Sequence, residues 1–227
     1  MQAVIENIIQ ETKSVRRFFL KPHSEHGFHF LPGQFITLRI QDTERSYSIA
    51  NPPDDSGLIE LCIVLNPGGK VTPLLWQMQP GDIVEISEAL GSMVLPEILD
   101  KDLCFICTGT GVAPFRSMIG HLLKQGELNH NIYLVFGNRY SADILYKAEF
   151  EAWSGENGRF QFIPVLSREA GPYRKGYVHA LYEELFADRR DAHFYVCGWE
   201  AMCKEARQRL KAMGYNRKQY TFEQYDG

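Results

Sequence analysis

Four short stretches of the chain carry residue types suited to holding a phosphorylated, aromatic ligand. The first is Arg45-Ser46-Tyr47-Ser48, followed by Asn51-Pro52. It offers a guanidinium for phosphate, a phenol ring as a flat plate and a hydroxyl, and strand alternation sends Arg45 and Tyr47 to one side. Taken alone it reads more simply as a polar edge strand, because Arg, Ser and Tyr are ordinary surface residues. The second is Pro67-Gly68-Gly69-Lys70-Val71-Thr72. Paired glycines let backbone N–H groups approach an anion, and Thr72 adds a hydroxyl at a helix start. Taken alone this is an ordinary hairpin turn.

The third stretch is Cys107-Thr108-Gly109-Thr110-Gly111-Val112-Ala113-Pro114, at the end of an apolar strand and directly before a helix. Glycines at such a turn admit a dinucleotide pyrophosphate to the backbone, although the spacing is not G-x-G-x-x-G. A tight structural turn accounts for the same residues equally well. The fourth is Tyr195-Val196-Cys197-Gly198-Trp199-Glu200-Ala201-Met202, again at a strand's carboxyl end, where open α/β sheets bind ligands. Cys197 is poised at that crevice, whereas Cys62, Cys104, Cys107 and Cys203 read as small core residues. Cys104 and Cys107 form C-x-x-C inside an apolar strand with no second pair, so neither zinc nor iron–sulfur ligation is expected.

These residues must be positioned by two halves with different rhythms. Over residues 1–98 apolar residues alternate with polar ones, as in Ile36, Leu38 and Ile40, in Leu61, Ile63 and Leu65, and in Val84 and Ile86. Turns at Pro32-Gly33, Asn51-Pro52-Pro53, Asn66-Pro67-Gly68-Gly69 and Pro80-Gly81-Asp82 punctuate the strands. The pattern predicts an antiparallel barrel, whose closure removes sheet edges. Over residues 99–227 compact apolar strands (103–107, 131–136, 160–166, 193–196 and a fifth near 220–223) alternate with helices (114–123, 147–153, 179–186 and 200–213). That is the texture of a parallel sheet covered by helices, and the boundary falls near Asp100-Lys101-Asp102.

Composition narrows the class. The 227 residues are 44% apolar, enough for a substantial core, and the formal charge of −4 supplies no basic field for nucleic acid or anionic lipid. No apolar run reaches membrane-spanning length, Met1 to Gln10 lack a basic n-region, and five scattered cysteines fit a reducing compartment. A cytoplasmic protein, contacting neither membrane nor nucleic acid, is expected.

Taken together and in this order, R-S-Y-S, P-G-G-K-V-T, G-T-G-V-A-P-F and Y-V-C-G-W-E-A-M resemble the ferredoxin–NADP reductase superfamily across nearly the whole chain. The stretches from Gly109 to Ser117 and from Leu145 to Glu151 are similar to the ferredoxin reductases themselves. The resemblance implies a flavin-binding barrel followed by a nucleotide-binding domain, with FAD held by Arg45, Tyr47, Ser48 and the turn of Gly68, Gly69, Lys70, Val71 and Thr72. Tyr47 would pack on the isoalloxazine and Ser48 would bond near flavin N5. Gly109, Thr110, Gly111 and Pro114 would receive the nicotinamide nucleotide, and Cys197 and Gly198 would line the nicotinamide's place. Ser167 and Arg168 match the position that grips the ribose phosphate of NADP, with Arg174 and Tyr177 assisting. Glu223 looks like the late acidic residue beside the nicotinamide, and Tyr225 like the late aromatic that covers the flavin. One departure is Ala89-Leu90-Gly91-Ser92-Met93, where many relatives carry Gly-Pro-x-Gly.

The activity so implied is hydride transfer between NAD(P)H and FAD, NADP(H) being preferred over NAD(H), coupled to single-electron exchange with a ferredoxin or flavodoxin. Ser48, Cys197 and Glu223 are its candidate catalytic residues, and a monomer is expected. Two other readings stay open: a reductase of free flavin, and a flavin-binding electron-transfer subunit of a larger complex.

Overall fold

The computed structural model describes residues 1–24, 27–126 and 128–225, which fall into two compact units. The first unit comprises Met1–Leu95 and Ala113–Gln125. Its strands are β1 (Gln2–Gln10), β2 (Val15–Pro22), β3 (Phe35–Ile40), β4 (Thr43–Ser48), β5 (Ile59–Val64) and β6 (Ile83–Ile86), with the four-residue helix α1 (Thr72–Leu75) after β5. They make one antiparallel sheet in the order β4-β3-β6-β1-β2-β5. The two edge strands approach each other where Ile49, just past β4, bridges Leu61 of β5, which closes the sheet toward a barrel. Alternation places Ala3, Ile5, Phe18, Leu20, Ile36, Leu38, Ile59, Leu61 and Ile63 in one buried core. The β1–β2 register shifts between Ile5 and Asn7, a bulge that bends β1. Helix α2 (Ala113–Lys124) packs with this unit.

The second unit comprises Pro96–Val112 and Gly126–Gly227. In chain order it holds β7 (Asp102–Thr108), β8 (Ile132–Asn138), α3 (Lys147–Glu156), β9 (Phe160–Leu166), β10 (Arg174–Lys175), α4 (Val178–Leu185), β11 (Ala192–Trp199), α5 (Glu200–Ala212) and β12 (Tyr220–Tyr225). All six strands pair in parallel, in the order β10-β9-β8-β7-β11-β12. Residues Leu103 to Cys107 of β7 and Ile132 to Phe136 of β8 are buried, as continuous apolar runs covered on both faces require. Strand order runs away from β7 in one direction up to β10 and restarts on its other side with β11. The β7–β11 junction is therefore the topological switch point of the sheet.

The antiparallel sheet followed by a helix-covered parallel sheet is the predicted architecture. The structure adds β10, whose two residues are polar and exposed. Among the described residues no helix is long and apolar enough to cross a membrane, and no group of three or more His, Cys, Asp or Glu side chains is placed to hold a metal ion.

Candidate flavin and dinucleotide sites

In the first unit, β4 pairs with β3 so that Arg45 lies opposite Leu38 and Tyr47 opposite Ile36. Arg45 and Tyr47 thus share one side of the strand, and Ser46 lies on the other, 3.4 Å from the Thr37 hydroxyl. Arg45 is exposed, and among the described residues its guanidinium donates to the Glu44 carbonyl at 2.7 Å. Tyr47 is half-buried against the barrel core. Burial pushes its phenol up to about 12, against a smaller opposing pull from the Arg45 charge, so it is a neutral plate at physiological pH. Ser48 closes the strand and is buried.

The Gly68-Gly69 turn is organised by Asn66. Its side-chain oxygen accepts from Gly68 N–H at 3.2 Å, and its carbonyl accepts from Gly69 N–H at 2.9 Å. The Thr72 hydroxyl is engaged twice with the same residue, donating to the Asn66 carbonyl at 3.0 Å and accepting from Asn66 N–H at 2.9 Å. The backbone N–H groups of Lys70, Val71 and Thr72, at the start of α1, meet no acceptor among the described residues. A Cβ at Gly69 would lie 3.2 Å from the Asn66 carbonyl, so the close turn favours glycine there. Three successive donors beside the exposed Lys70 fit a flavin phosphate chemically.

A buried network lies behind this strand. Glu60 of β5 accepts from Arg17 of β2 at 2.6 Å and from Arg116 of α2 at 2.9 Å. Arg116 also donates to the Ala50 carbonyl at 3.0 Å, and the Ser117 hydroxyl to the Asn51 carbonyl at 2.7 Å. The segment that follows Tyr47 and Ser48 is thereby fixed to α2. Nothing in the sequence pattern pairs Glu60 with two arginines more than 40 positions away.

In the second unit, the carboxyl ends of β7 and β11 interlock through glycines. A Cβ at Gly111 would stand 2.5 Å from the Cys197 carbonyl oxygen, and one at Gly198 would stand 2.4 Å from the Thr108 hydroxyl. Gly109 has φ +54° and Gly198 φ +143°, backbone conformations that favour glycine. Trp199 N–H donates to the Thr108 hydroxyl at 3.4 Å, and the Trp199 side chain is exposed. A bare backbone turn of Gly109, Thr110 and Gly111 at the switch point fits a dinucleotide pyrophosphate. Pro114 is the second residue of α2, which follows that turn.

Parallel pairing of β11 and β12 sets Cys197 beside Glu223 and Trp199 beside Tyr225. Burial holds the Cys197 thiol well above its usual range, reinforced by the Glu223 charge and opposed by a hydrogen bond with the Tyr225 side chain. Cys197, Glu223 and Tyr225 therefore meet in one cluster, with a protonated thiol at its centre.

At the opposite flank, Ser167 and Arg168 follow β9. Ser167 N–H donates to the Asn138 carbonyl at 2.9 Å, and Arg168 N–H to the Arg139 carbonyl at 3.1 Å. Arg139 and Arg168 are both exposed and carry no ion pair with a described residue. Glu169 fixes this edge by accepting from Ser141 N–H at 2.6 Å and from its hydroxyl at 2.9 Å. Arg174 instead makes a two-pronged ion pair with Glu184, one arm at 2.6 Å, and Tyr177 is exposed just ahead of α4. Arg139 was not legible from sequence, because only the register of β8 against β9 places it beside Arg168.

The chain matches the oxidoreductase FAD-binding domain over residues 2–94 and the oxidoreductase NAD-binding domain over residues 105–208. It is 30% identical to a ferredoxin–NADP reductase B of Sorangium cellulosum, covering 93% of this chain and 92% of that protein. It is 35% identical to protein RfbI of Salmonella typhimurium over 76% of this chain, and spans about half (52%) of that protein's length. Among solved structures, the Amycolatopsis cytochrome P450 reductase GcoB superposes with a TM-score of 0.91 at 27% identity, covering 99% of this chain and 69% of that one. A Neisseria gonorrhoeae ferredoxin NADP+ reductase with bound FAD and NADP shares the fold at a TM-score of 0.86 and 24% identity, covering 99% and 98%. With both domain models matched in the order of the two units, the chain belongs to the ferredoxin–NADP reductase superfamily, as an oxidoreductase that binds FAD and NAD(P) for electron transfer.

Proposed function

We propose that this protein is a cytoplasmic, monomeric NADPH-dependent flavoprotein reductase exchanging single electrons with a ferredoxin or flavodoxin, residues 1–98 serving FAD and residues 99–227 serving the dinucleotide. The observation that carries the dinucleotide half is the glycine interlock at the β7–β11 switch point, where the backbone leaves no room for side chains. Bound FAD would supply the conversion between two-electron and one-electron chemistry, which no side chain can perform.

The chain's own residues bind and orient. Arg45, with the N–H groups of Lys70, Val71 and Thr72, offers charge-assisted bonds to the flavin phosphates. Tyr47 presents a neutral ring for stacking, and Ser48 a hydroxyl at the strand end. Cys197, kept protonated by burial, shapes the nicotinamide pocket together with Gly198, and Glu223 stands beside it as a fixed negative charge that favours a developing cation. Tyr225, bonded to Cys197, is the candidate aromatic cover.

Preference for NADP(H) rests on Ser167, Arg168 and Arg139. A hydroxyl and two guanidinium groups that carry no ion pair with a described residue suit a phosphate monoester better than a ribose hydroxyl. Arg174 would assist only by sharing or releasing Glu184. The test is the absorption spectrum of the purified protein followed by anaerobic titration with NADPH and NADH. Tightly retained FAD reduced at lower concentrations of NADPH than of NADH is expected. A colourless protein that reduces added flavin would make flavin a substrate, and equal efficiency with both nicotinamides would remove the assigned phosphate site.

A further inference from the structure

At the carboxyl end of β8, between the pyrophosphate turn on β7 and the Ser167-Arg168 pair after β9, stands Asn138. Its carbonyl is engaged by Ser167, both by the backbone N–H at 2.9 Å and by the hydroxyl at 3.4 Å. Its side-chain amide is different. The Nδ2 atom is buried and finds no acceptor among the described residues, and it alone of the buried side-chain polar atoms described is in that position. The neighbouring backbone is closely packed: a Cβ at Gly137 would lie 2.9 Å from Val178 and 3.1 Å from Thr108. A buried donor without an acceptor is costly, and such groups persist where a ligand supplies the missing partner.

We infer that Asn138 Nδ2 donates a hydrogen bond to an oxygen of the adenosine half of the bound dinucleotide, the ribose hydroxyl or the adjoining phosphate. The inference rests on the reading that the dinucleotide lies across the carboxyl edge of this sheet, with its pyrophosphate at Gly109 to Gly111 and its 2′-phosphate at Ser167, Arg168 and Arg139. The strand order β7-β8-β9 puts Asn138 between those two groups, where the adenosine ribose must pass. Asn138 is thus a binding residue for the part of the cofactor shared by NADP+ and ADP-ribose, and it contributes nothing to discrimination by the 2′-phosphate.

The test is calorimetric titration of the flavin-loaded protein with NADP+ and with ADP-ribose, for wild type, Asn138→Leu and Asn138→Ala, alongside the thermal midpoint of each protein without dinucleotide. Leu keeps the branched shape of Asn at a larger volume and removes the donor, while Ala removes it without overpacking, so the midpoint of at least one of the two should equal or exceed that of wild type. Both variants should lose about tenfold in affinity, by the same factor for NADP+ and ADP-ribose. Unchanged affinity, or a lowered midpoint with unchanged affinity, would show the amide to be satisfied within the protein and overturn the inference. A loss for NADP+ with none for ADP-ribose would overturn the adenosine placement. Failure of the wild type to bind either probe would instead overturn the site reading on which the inference rests.

Discussion

At the scale of single residues, the cysteines separate chemistry from position. All five are buried and none is in a disulfide with another described residue, and burial lifts the thiols of Cys104, Cys107, Cys197 and Cys203 above their usual range, Cys203 to about 11. A thiol held protonated is a poor nucleophile, so Cys197 acts through shape and weak hydrogen bonding. Folded protein at pH 8 is expected to resist alkylation at Cys197 until denaturant is added. Cys197→Ala should slow reduction by NADPH in stopped flow while leaving flavin bound; equal rates in the two proteins would return Cys197 to a packing role. Arg45 works in the opposite way, through charge at an exposed position. Removing its guanidinium in Arg45→Ala should weaken FAD by roughly 1.5–3 kcal/mol, the range for hydrogen bonds to charged groups. A folded variant with undiminished FAD affinity would leave the phosphates to the backbone donors of residues 70–72 alone.

At the scale of elements, the ion pairs of Glu60 with Arg17 and Arg116 bind β2, β5 and α2 into one piece. Glu60 and Arg116 are almost wholly buried, so deleting the carboxylate strands a guanidinium in a low-dielectric site. Glu60→Ala should therefore cost about 3–5 kcal/mol in denaturant unfolding. A loss below about 1 kcal/mol would mean that water reaches Arg116 in the variant. This network also marks what sequence could and could not show. Strands β7, β8 and β11 were legible because burial on both faces writes a nearly continuous apolar run, and β9 because its apolar residues, Phe160 and Phe162 to Leu166, are broken only by the exposed Gln161. Strand β10 was not, because Arg174 and Lys175 are exposed and carry no period. The two glycine turns were visible as composition, whereas the mutual approach of Gly111 to Cys197 and of Gly198 to Thr108 is a tertiary fact. Glu60, Asn138 and Arg139 escaped for the same reason: their partners are set by strand register and helix packing, which no local pattern encodes.

At the scale of the whole molecule, the net charge is small, so acid response is governed by specific groups. Two of these, His179 and His193, lie in the second unit. His179 sits on α4, with Nδ1 2.9 Å from the Tyr182 hydroxyl and Nε2 3.3 Å from Glu205 of α5. Burial lowers its pKa below 6.5 and the Arg209 charge adds to this, outweighing the opposing pull of Glu205 and Glu183. His193, bonded to Thr221 at 3.0 Å, is also lowered by burial, with a smaller contribution from Lys101. For both, the unfolded chain binds a proton more readily than the folded one. Their contribution to stability is thus fully present above pH 6.5 and is lost as pH falls from there through the lowered folded value. The depressed carboxylates Glu205 and Asp191 act in the same direction, but only below the ordinary carboxylate range, so the two windows separate. The thermal midpoint should accordingly fall between pH 7 and pH 5.5, before any carboxylate effect begins. His179→Gln, whose amide reaches the place of Nε2 beside Glu205 but cannot take up a proton, should flatten that slope. A wild-type midpoint constant across this interval, or a slope unchanged by His179→Gln, would show that the imidazole between α4 and α5 is free to ionise in the folded protein.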